Sequence, residues 1–412
     1  MCIIGYIYDI LIIIKMRDVV GVCGLENLGN TCYLNASVQS MRSVSAMNEY
    51  LFENEIHYII AKNIMIENAK KNGNKIEDDD MIDLISQTIT YRYFKLMKLM
   101  SSNSGVISPI NFKESVNDKM SMFKDLVQND AHEFMVLLLD KMHDDLKISK
   151  NINIFDIIEG DKNCVNYGIL SNVENIMRNK MVRTDMTFDD VKDINIRMYC
   201  QYYLYNCALL KEKSIIRTLF TGFMYNKKRC ENCGNVTMNY EHFNVLEVPL
   251  PYNDRDMTLD ECYEYISHDE RLDGGNMLKC DICNKYTSCI SNTYVWDTSD
   301  VLIVHLKRFC VGKNMNGNYI TVKNNGLVIF DVDDYVPKIY RMGLVKKYSL
   351  VSVIYQHGTL NRGHYTACSK NDDEKWWFYD DDECKPIETD DIKSTLNNRD
   401  AYILVYKLNK LM

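Results

Sequence analysis

Residues 24–39 read GLENLGNTCYLNASVQ. Here a glycine-containing turn leads into apolar residues at helical spacing, which follow Cys32 at Leu34, Val38 and Met41. A thiol in the first turn of a helix lies beside unpaired N–H groups and the positive end of the helix dipole, and both favour the reactive thiolate. A lone cysteine is more often a buried structural residue. Cys32 therefore needs partners before it counts as a nucleophile.

The partners are predicted in two segments near the other end of the chain, QHGTLNRGHYTA at 356–367 and WWFYDDD at 376–382. A cysteine nucleophile needs a base, and the base needs an acceptor that orients it. His364 lies in a strand–loop–strand pattern, and Asp380 is predicted to begin a second strand. Two antiparallel strands with a short connection bring such residues side by side. We predict that His364 is the base and that Asp380 orients it, with Asp381 as the alternative.

Each of these residues also has an ordinary structural interpretation. A histidine between strands is often a satisfied sheet residue, and an aspartate run is often a solvated turn. These interpretations weaken when Cys, His and Asp occur together in that order. In the resulting site, backbone N–H groups near Cys32 and the side-chain amide of Asn27 would stabilise an oxyanion formed by attack on a carbonyl.

The segment around Cys32 resembles the cysteine box of the ubiquitin-specific proteases, and residues 356–382 resemble their histidine box. Two further blocks occur in family order: LVQNDAHEF at 126–134 resembles the Gln-Gln-Asp block, and VLIVHLKRF at 301–309 resembles the Leu-Lys-Arg-Phe strand. The resemblance extends from about residue 22 to residue 406. Asn129 replaces the second Gln of the central block, and Met41 and Met135 stand where Leu is usual. These departures leave the predicted chemistry untouched and bear on substrate preference.

The resemblance implies an α+β fold of the papain-like cysteine peptidase class, with Cys32 on a helical lobe and His364 on a sheet lobe. It gives a catalytic domain over residues 22–407, with a thumb (22–213), zinc-ribbon fingers (214–300) and a palm (301–407), after an apolar extension (1–21). The implied activity is thiol-dependent hydrolysis after the C-terminal Gly-Gly of ubiquitin. The pattern of a helical first third and a sheet-rich remainder independently indicates an α+β architecture.

Substrate contacts are predicted on a helix and on the histidine segment. Asp130 and Glu133, at i and i+3, could pair with arginines in the basic tail of ubiquitin. Their alternative role is to complement the dipole at the helix N-terminus. The remaining predicted contacts are Gln128 of the central block and three residues expected to line a narrow channel for the glycines of the tail, His357, Gly363 and Tyr365.

Two Cys-x-x-Cys pairs predict a metal site, Cys230 with Cys233 and Cys280 with Cys283. Each pair suits a tight turn that presents two sulfurs to one tetrahedral ion. The connection between the pairs exceeds the ~15–20 residues of a compact zinc ribbon, and an inserted pair of strands would account for it. Four sulfur ligands leave no open position, so we predict one structural zinc and no catalytic cofactor. Two unrelated pairs of buried cysteines, or a redox pair, are the alternatives.

The composition is that of a soluble globular protein, with 46% apolar residues and a net charge of −9 over 412 residues. Such an acidic chain is an improbable nucleic-acid binder. The 15 cysteines show no spacing typical of a disulfide framework, and reduced thiols fit a cytoplasmic or nuclear location. The apolar run from Cys2 to Ile14 is shorter than the ~20 residues that span a bilayer. We expect it to pack as a strand, or translation to begin at Met16, and we expect a monomer without membrane association.

Local patterns predict several elements outside the site. The clearest helix runs from Asp130 to Leu146, and residues 151–213 are predicted to be a helical insert. Strands are predicted at Tyr348–Tyr355, at Ala401–Tyr406 and, as a single strand, at Asn239–Leu250. Two alternative functions remain open at this point: a peptidase for another ubiquitin-like modifier, and a catalytically silent ubiquitin-binding relative. The complete Cys, His and Asp set argues against the second.

Overall fold

A computed structural model describes residues 22–54, 56–71, 76–125, 127–162, 164–183, 186–188, 190–251, 254–313, 318–359, 362–371, 373–388 and 390–411. The apolar run from Cys2 to Ile14 and the alternative start at Met16 lie outside these residues. No helix in the described part of the chain is long and apolar enough to cross a membrane.

The helices are α1 (Cys32–Arg42), α2 (Ser45–Glu53), α3 (Ile56–Lys71), α4 (Asp78–Ser86), α5 (Ile89–Ser102), α6 (Ile110–Lys119), α7 (Ala131–Leu146), α8 (Ile154–Gly160), α9 (Tyr167–Arg183), α10 (Ile194–Leu210), α11 (Ile215–Phe220), α12 (Leu259–Ile266) and α13 (Ile392–Leu396). Short 3-10 turns occur at Ser121–Phe123 and Gly274–Asn276.

The strands are β1 (Cys23–Leu25), β2 (Gly105–Ile107), β3 (Ile148–Ser149), β4 (Glu212–Lys213), β5 (Gly222–Cys230), β6 (Val236–Phe243), β7 (Val245–Pro249), β8 (Met257–Thr258), β9 (Glu270–Leu272), β10 (Leu278–Cys280), β11 (Lys285–Thr287), β12 (Cys289–Asp297), β13 (Val301–Lys307), β14 (Phe309–Lys313), β15 (Tyr319–Lys323), β16 (Val328–Ile329), β17 (Lys346–Thr359), β18 (Arg362–Lys370), β19 (Trp376–Asp380), β20 (Glu383–Pro386) and β21 (Ala401–Leu411).

The chain divides into two compact units. The first comprises the chain up to Lys147 together with Val351–Ile392, and the second comprises Ile148–Leu350 together with Lys393–Met412. This division is coarser than the predicted thumb, fingers and palm, whose boundaries stay predictions.

The first unit contains α1–α7 and an antiparallel set of strands in the order β20-β19-β18-β17. Helix α1 packs against α7 and β18, and it buries the predicted apolar positions Leu34, Val38 and Met41 completely. Helix α7 begins where the sequence predicts, since the Asp130 carboxylate caps it by accepting from the backbone N–H groups of His132 and Glu133. Both predicted helices of this unit are therefore confirmed.

The second unit contains three helices, α8, α9 and α10, within residues 151–213, so the helical prediction for this insert is confirmed. Its four-stranded sheet has the order β6-β5-β12-β9, and a further set has the order β21-β13-β7, with β13 parallel to β7. Aromatic rings from α10 and these strands form the core beside the insert; Trp296 lies 5.3 Å from Tyr240 and 5.5 Å from Tyr202, centroid to centroid. The insert thus packs on the base of the four-stranded sheet.

Two predictions about strands were wrong. Residues 239–250 were expected to form one strand, but the chain breaks at Asn244, and β6 and β7 belong to different sheets. The connection between the two Cys-x-x-Cys pairs also holds more than a pair of strands, because it includes helix α12. A continuous alternating pattern cannot reveal that break, since both strands alternate in the same way.

Candidate active site and metal centre

Cys32 is the first residue of α1, and its side chain is 4% exposed. No side chain caps this helix, because the Thr31 hydroxyl instead accepts from the Leu28 N–H at 2.9 Å. The first N–H groups of α1 therefore receive no bond from the Thr31 side chain and remain available to an anion that forms there. Such donors stabilise an anion that develops next to Cys32.

His364 lies near the start of β18, and Asp380 is the last residue of β19, which pairs antiparallel with β18. The His364 Nε2 and the Asp380 Oδ1 are 2.6 Å apart. Asp380 ends its strand, whereas the sequence suggested that it begins one. The apolar run before it, WWFY, already forms the strand, and Asp381 and Asp382 form the turn. The predicted pairing of imidazole and carboxylate is nevertheless present.

The Cys32 thiol lies beside the imidazole and has the largest influence on its pKa. Because Nε2 is bonded to Asp380, Nδ1 is the ring nitrogen left for the sulfur. The interaction with Cys32, together with the bond to Asp380, outweighs partial burial and raises the pKa of His364 to about 9. A histidine that keeps its proton beside a thiol favours an imidazolium–thiolate pair.

Among the described residues, the Asp381 carboxylate bonds two side-chain amides and not the imidazole. Its Oδ2 accepts from the Asn27 Nδ2 at 2.8 Å, and its Oδ1 accepts from the Asn35 Nδ2 at 2.8 Å. Asn35 is 2% exposed and lies one turn after Cys32 on α1. The two neighbouring acids thus divide their contacts: Asp380 holds the base, and Asp381 holds the amide predicted to be an oxyanion donor. The oxyanion role of Asn27 itself stays a prediction.

Sequence reasoning missed Asn35, although a signal was present. A polar side chain three residues after Cys32, on the face of the helix that the cysteine occupies, is a candidate for a buried hydrogen bond. It also missed the contact between β1 and the turn after β19. The Leu25 N–H donates to the Asp381 carbonyl at 2.7 Å, and a Cβ added to Gly24 would lie 2.1 Å from the Asp382 carbonyl oxygen. Only glycine fits there, so the chain entering the cysteine turn is fixed against the Asp381 turn.

The residues predicted to contact the substrate lie in the same unit as Cys32. Gln128 bonds both backbone groups of Gly363, donating from Nε2 to the carbonyl at 2.6 Å and accepting at Oε1 from the N–H at 2.6 Å. His357 is paired in register with His364, and its Nε2 lies 3.0 Å from the Thr366 hydroxyl oxygen. Gln128, Gly363 and His357 therefore all lie around the start of β18.

Asp130 and Glu133 differ in their surroundings. The Asp130 Oδ1 accepts from the His132 N–H at 2.7 Å as the cap of α7. The Asp130 carboxylate also lies near the phenol of buried Tyr365, whose pKa is raised first by burial and then by the charge of this carboxylate. Glu133 is exposed. Asp130 therefore has the alternative role considered for it, at the N-terminus of the helix. The predicted substrate contacts of Asp130 and Glu133 stay predictions.

The four predicted metal ligands come together in the second unit. The sulfurs of Cys230 and Cys283 are 3.9 Å apart, those of Cys233 and Cys280 are 3.7 Å apart, and all four lie within 4.8 Å of one another. A tetrahedral ion with metal–sulfur bonds of about 2.3 Å requires sulfur–sulfur distances of about 3.8 Å. The cluster could therefore hold one metal ion. A second group of possible ligands, His364, Asp380 and Asp381, belongs to the active site already described.

Groups around the cluster fit a set of thiolate ligands. The Asn232 Nδ2 donates to the Cys283 sulfur at 3.1 Å, and the Cys283 N–H donates to the Cys280 sulfur at 3.5 Å. The Thr287 hydroxyl lies 3.2 Å from the Cys230 sulfur. Hydrogen bonds of this kind orient metal ligands and favour their charged form.

A helical layer that presents a cysteine to a histidine on an antiparallel sheet defines a papain-like cysteine peptidase. Residues 23–406 match the model of the family described as "Ubiquitin carboxyl-terminal hydrolase". The chain therefore belongs to the ubiquitin carboxyl-terminal hydrolase family.

Curated relatives have the same family name. The chain is 24% identical to the probable ubiquitin carboxyl-terminal hydrolase R319 of Acanthamoeba polyphaga mimivirus, over 94% of this chain and 90% of the relative. It is 25% identical to Usp2 of Drosophila melanogaster and 25% identical to human ubiquitin carboxyl-terminal hydrolase 2, each over 94% of this chain. The chain spans 35% of the fly protein and 55% of the human protein. These two relatives therefore contain long regions outside the match.

Solved structures share the fold. The yeast SAGA DUBm with an Sgf73 mutant superimposes with a TM-score of 0.58 at 20% identity, covering 97% of this chain and 71% of that one. The Ubp8/Sgf11/Sus1/Sgf73 module bound to ubiquitin aldehyde gives 0.55 at 18% identity, covering 97% and 72%. The predicted fold class and family are confirmed.

Proposed function

We propose that the chain is a thiol-dependent deubiquitinase that hydrolyses the bond after the C-terminal Gly-Gly of ubiquitin. The observation that carries the proposal is the hydrogen-bonded pair His364–Asp380 beside Cys32, at the start of a helix, in a member of this family. The module bound to ubiquitin aldehyde supports ubiquitin as the substrate. The Cys32 thiolate attacks the carbonyl carbon, and the Cys32 N–H with the Asn27 amide stabilises the oxyanion. His364 protonates the leaving amine, and the acyl group stays on sulfur as a thioester.

The second half of the reaction returns the enzyme to its starting state. His364, now neutral, accepts a proton from water as the water attacks the thioester carbonyl. The C–S bond breaks, ubiquitin leaves with a free C-terminal carboxylate, and Cys32 regains the thiolate. Asp380 keeps the imidazole in one orientation throughout, since it bonds Nε2 and leaves Nδ1 for the sulfur and the amine.

The test is hydrolysis of ubiquitin with a C-terminal fluorogenic amide, beside the same amide of other ubiquitin-like modifiers. Cleavage of the ubiquitin substrate at least tenfold faster than the others supports the proposal. Cleavage of another modifier instead would keep the mechanism and change the substrate. Binding of ubiquitin without cleavage of any amide would favour the catalytically silent relative.

The pH dependence of turnover should report the raised pKa of His364. Its folded pKa, about 9, lies above its ordinary value, so the imidazolium persists through neutral pH and is lost as the pH rises through about 9. Because that proton is needed for the leaving amine, kcat/KM for the fluorogenic amide is expected to fall above about pH 9. A decline that begins near pH 6.5 would contradict the assignment of His364 as the acid.

Glu133 gives the cleaner test of the tail contact, because Asp130 is also a helix cap. Glu133→Arg is expected to raise KM for ubiquitin about tenfold, the loss typical of a charge-assisted hydrogen bond. Asp130→Ser should also raise KM, since serine keeps the cap and removes the charge. Asp140→Arg, at an exposed acid further along α7, is the matched control and should leave KM unchanged. An unchanged KM in Glu133→Arg would refute the tail contact.

We propose that the four-cysteine cluster holds one structural zinc. Its sulfur spacing and its closed set of four ligands support this assignment. Purified protein is expected to contain about one equivalent of zinc, and Cys280→Ser should lose it and unfold at lower temperature. Cys289→Ser is the control, because Cys289 is a buried neighbour in register with Cys230 but outside the cluster. Less than half an equivalent of zinc in the wild type would refute the assignment.

We further propose a monomer in the cytoplasm or nucleus. None of the 14 cysteines in the described part of the chain forms a disulfide, which suits a reducing compartment. Light scattering of the purified protein tests the first part, and a fluorescent fusion in host cells tests the second. A stable dimer, or signal from a secretory compartment, would contradict these proposals.

A further inference from the structure

The side chain of Gln128 occupies the place of a neighbouring β-strand. A residue in a strand directs its N–H and its C=O to the same side, where a partner strand normally bonds both. At Gly363 both groups are bonded by the Gln128 carboxamide, at 2.6 Å each. The amide of Gln128 thus reproduces the two bonds that a paired peptide would make.

This bond lies where β18 has no second partner strand in the described residues. Strand β17 pairs with β18 from Arg362 to Ser369, but β19 pairs with it only from Ala367 to Lys370. Gly363 and His364 therefore lie on the part of β18 that extends beyond β19. Gln128 bonds this open edge directly before the catalytic histidine.

A second glutamine restricts Gly363 from another direction. Gln356 is completely buried, and its Nε2 donates to the carbonyl oxygens of His357 and Thr359 at 3.1 Å each. A Cβ added to Gly363 would lie 2.3 Å from that nitrogen. Gly363 is therefore confined between the two carboxamides, and movement of the strand at this point would break hydrogen bonds.

We infer that Gln128 is a positioning residue for His364, and that it acts through the Gly363 peptide. The imidazole must reach Cys32 with Nδ1 while Nε2 stays on Asp380, so the backbone that carries it has little freedom. A displacement of about 1 Å at a reacting group can cost about 100-fold in rate. The inference deepens the proposed function and rests on it for the catalytic measurement alone. It assigns Gln128 a role different from the predicted contact with the ubiquitin tail.

The test compares Gln128→Met, which keeps the length of the side chain and removes both hydrogen bonds, with Gln128→Glu, which keeps only the acceptor. Val127→Ala, at an exposed neighbour, is the matched control. The first measurement is the pH dependence of Cys32 alkylation by chloroacetamide without ubiquitin, followed by mass spectrometry of the peptide. The second is kcat and KM for the ubiquitin amide.

Gln128→Met is expected to lower kcat at least tenfold and to change KM less than twofold. Its alkylation rate at pH 6 should also fall about tenfold, because the thiolate loses a correctly placed imidazolium. Gln128→Glu should show the same losses, since its carboxylate repels the Gly363 carbonyl. Val127→Ala should behave as the wild type in both measurements.

Two results would overturn the inference. A raised KM with wild-type kcat and alkylation would make Gln128 a contact for the substrate tail, and unchanged values throughout would leave it without either role. The outcomes separate this inference from the proposed function. If the wild type cleaves no ubiquitin substrate but Gln128→Met still loses thiolate reactivity, only the proposed function fails. If the wild type cleaves ubiquitin and Gln128→Met alkylates normally, only the inference fails.

Discussion

Cys32→Ala is expected to lower kcat/KM for the ubiquitin amide by more than about 10⁴-fold, the scale seen when a covalent nucleophile is removed. The proposed reaction proceeds through an acyl group carried on the sulfur, and Cys32 is the cysteine that most strongly influences the pKa of His364. Cys32→Ser should be nearly as inactive. A hydroxyl is far less acidic than a thiol, so it would not form an ion pair with the imidazole.

Cys32→Ala also needs a check that the variant is folded, made by comparing its melting temperature and zinc content with those of the wild type. Only one sulfur atom is removed, at the start of α1, so the melting temperature and the zinc content should remain close to those of the wild type. Residual turnover above about one hundredth of the wild-type rate, from protein free of contaminating hydrolase, would show that Cys32 is not the nucleophile.

Asp380→Asn and Asp381→Asn are both expected to lower kcat, but only Asp380→Asn is expected to change the pH profile. Asp380→Asn should lower kcat by roughly 10²- to 10⁴-fold, because an amide can hold the ring in the wrong tautomer. It should also move the alkaline fall in kcat/KM below pH 9, since the Asp380 carboxylate is one cause of the raised pKa of His364. The measurement is the full pH profile of each variant.

Asp381→Asn should lower kcat without moving that profile. Asp381 contacts Asn27 and Asn35, and its loss releases the amide predicted to bind the oxyanion. One oxyanion donor contributes about 10²- to 10³-fold in rate. Asn27→Ala should reproduce the loss, and the double variant should lose little more, because both changes remove the same donor. If the pH profile of kcat/KM shifts in Asp381→Asn and not in Asp380→Asn, then Asp381, and not Asp380, orients His364.

Local pattern was sufficient to predict the parts of the site that depend on nearby residues. The turn before Cys32, the helical spacing after it and the start of a helix at Asp130 each occupy a few consecutive positions. The Cys-x-x-Cys pairs are likewise local, since each presents two sulfurs from one tight turn. These features needed no knowledge of the distant chain.

The contacts that the sequence did not reveal connect residues far apart in the chain. Asn35 and Asp381 are separated by 346 positions, and Gln128 and Gly363 by 235 positions. Which strand edge stays open, and which side chain reaches it, depends on where each strand ends. The end of β19 at Asp380 was itself misplaced, because an apolar run followed by three aspartates does not show which aspartate begins the turn.

The most direct measurement is reaction of the purified protein with ubiquitin that carries a thiol-reactive group at its C-terminus, beside matched probes made from other ubiquitin-like modifiers. The account predicts one covalent ubiquitin per protein, located on Cys32 by peptide mapping and absent in Cys32→Ala. An adduct on a different cysteine, or no adduct from folded, zinc-loaded protein, would contradict it.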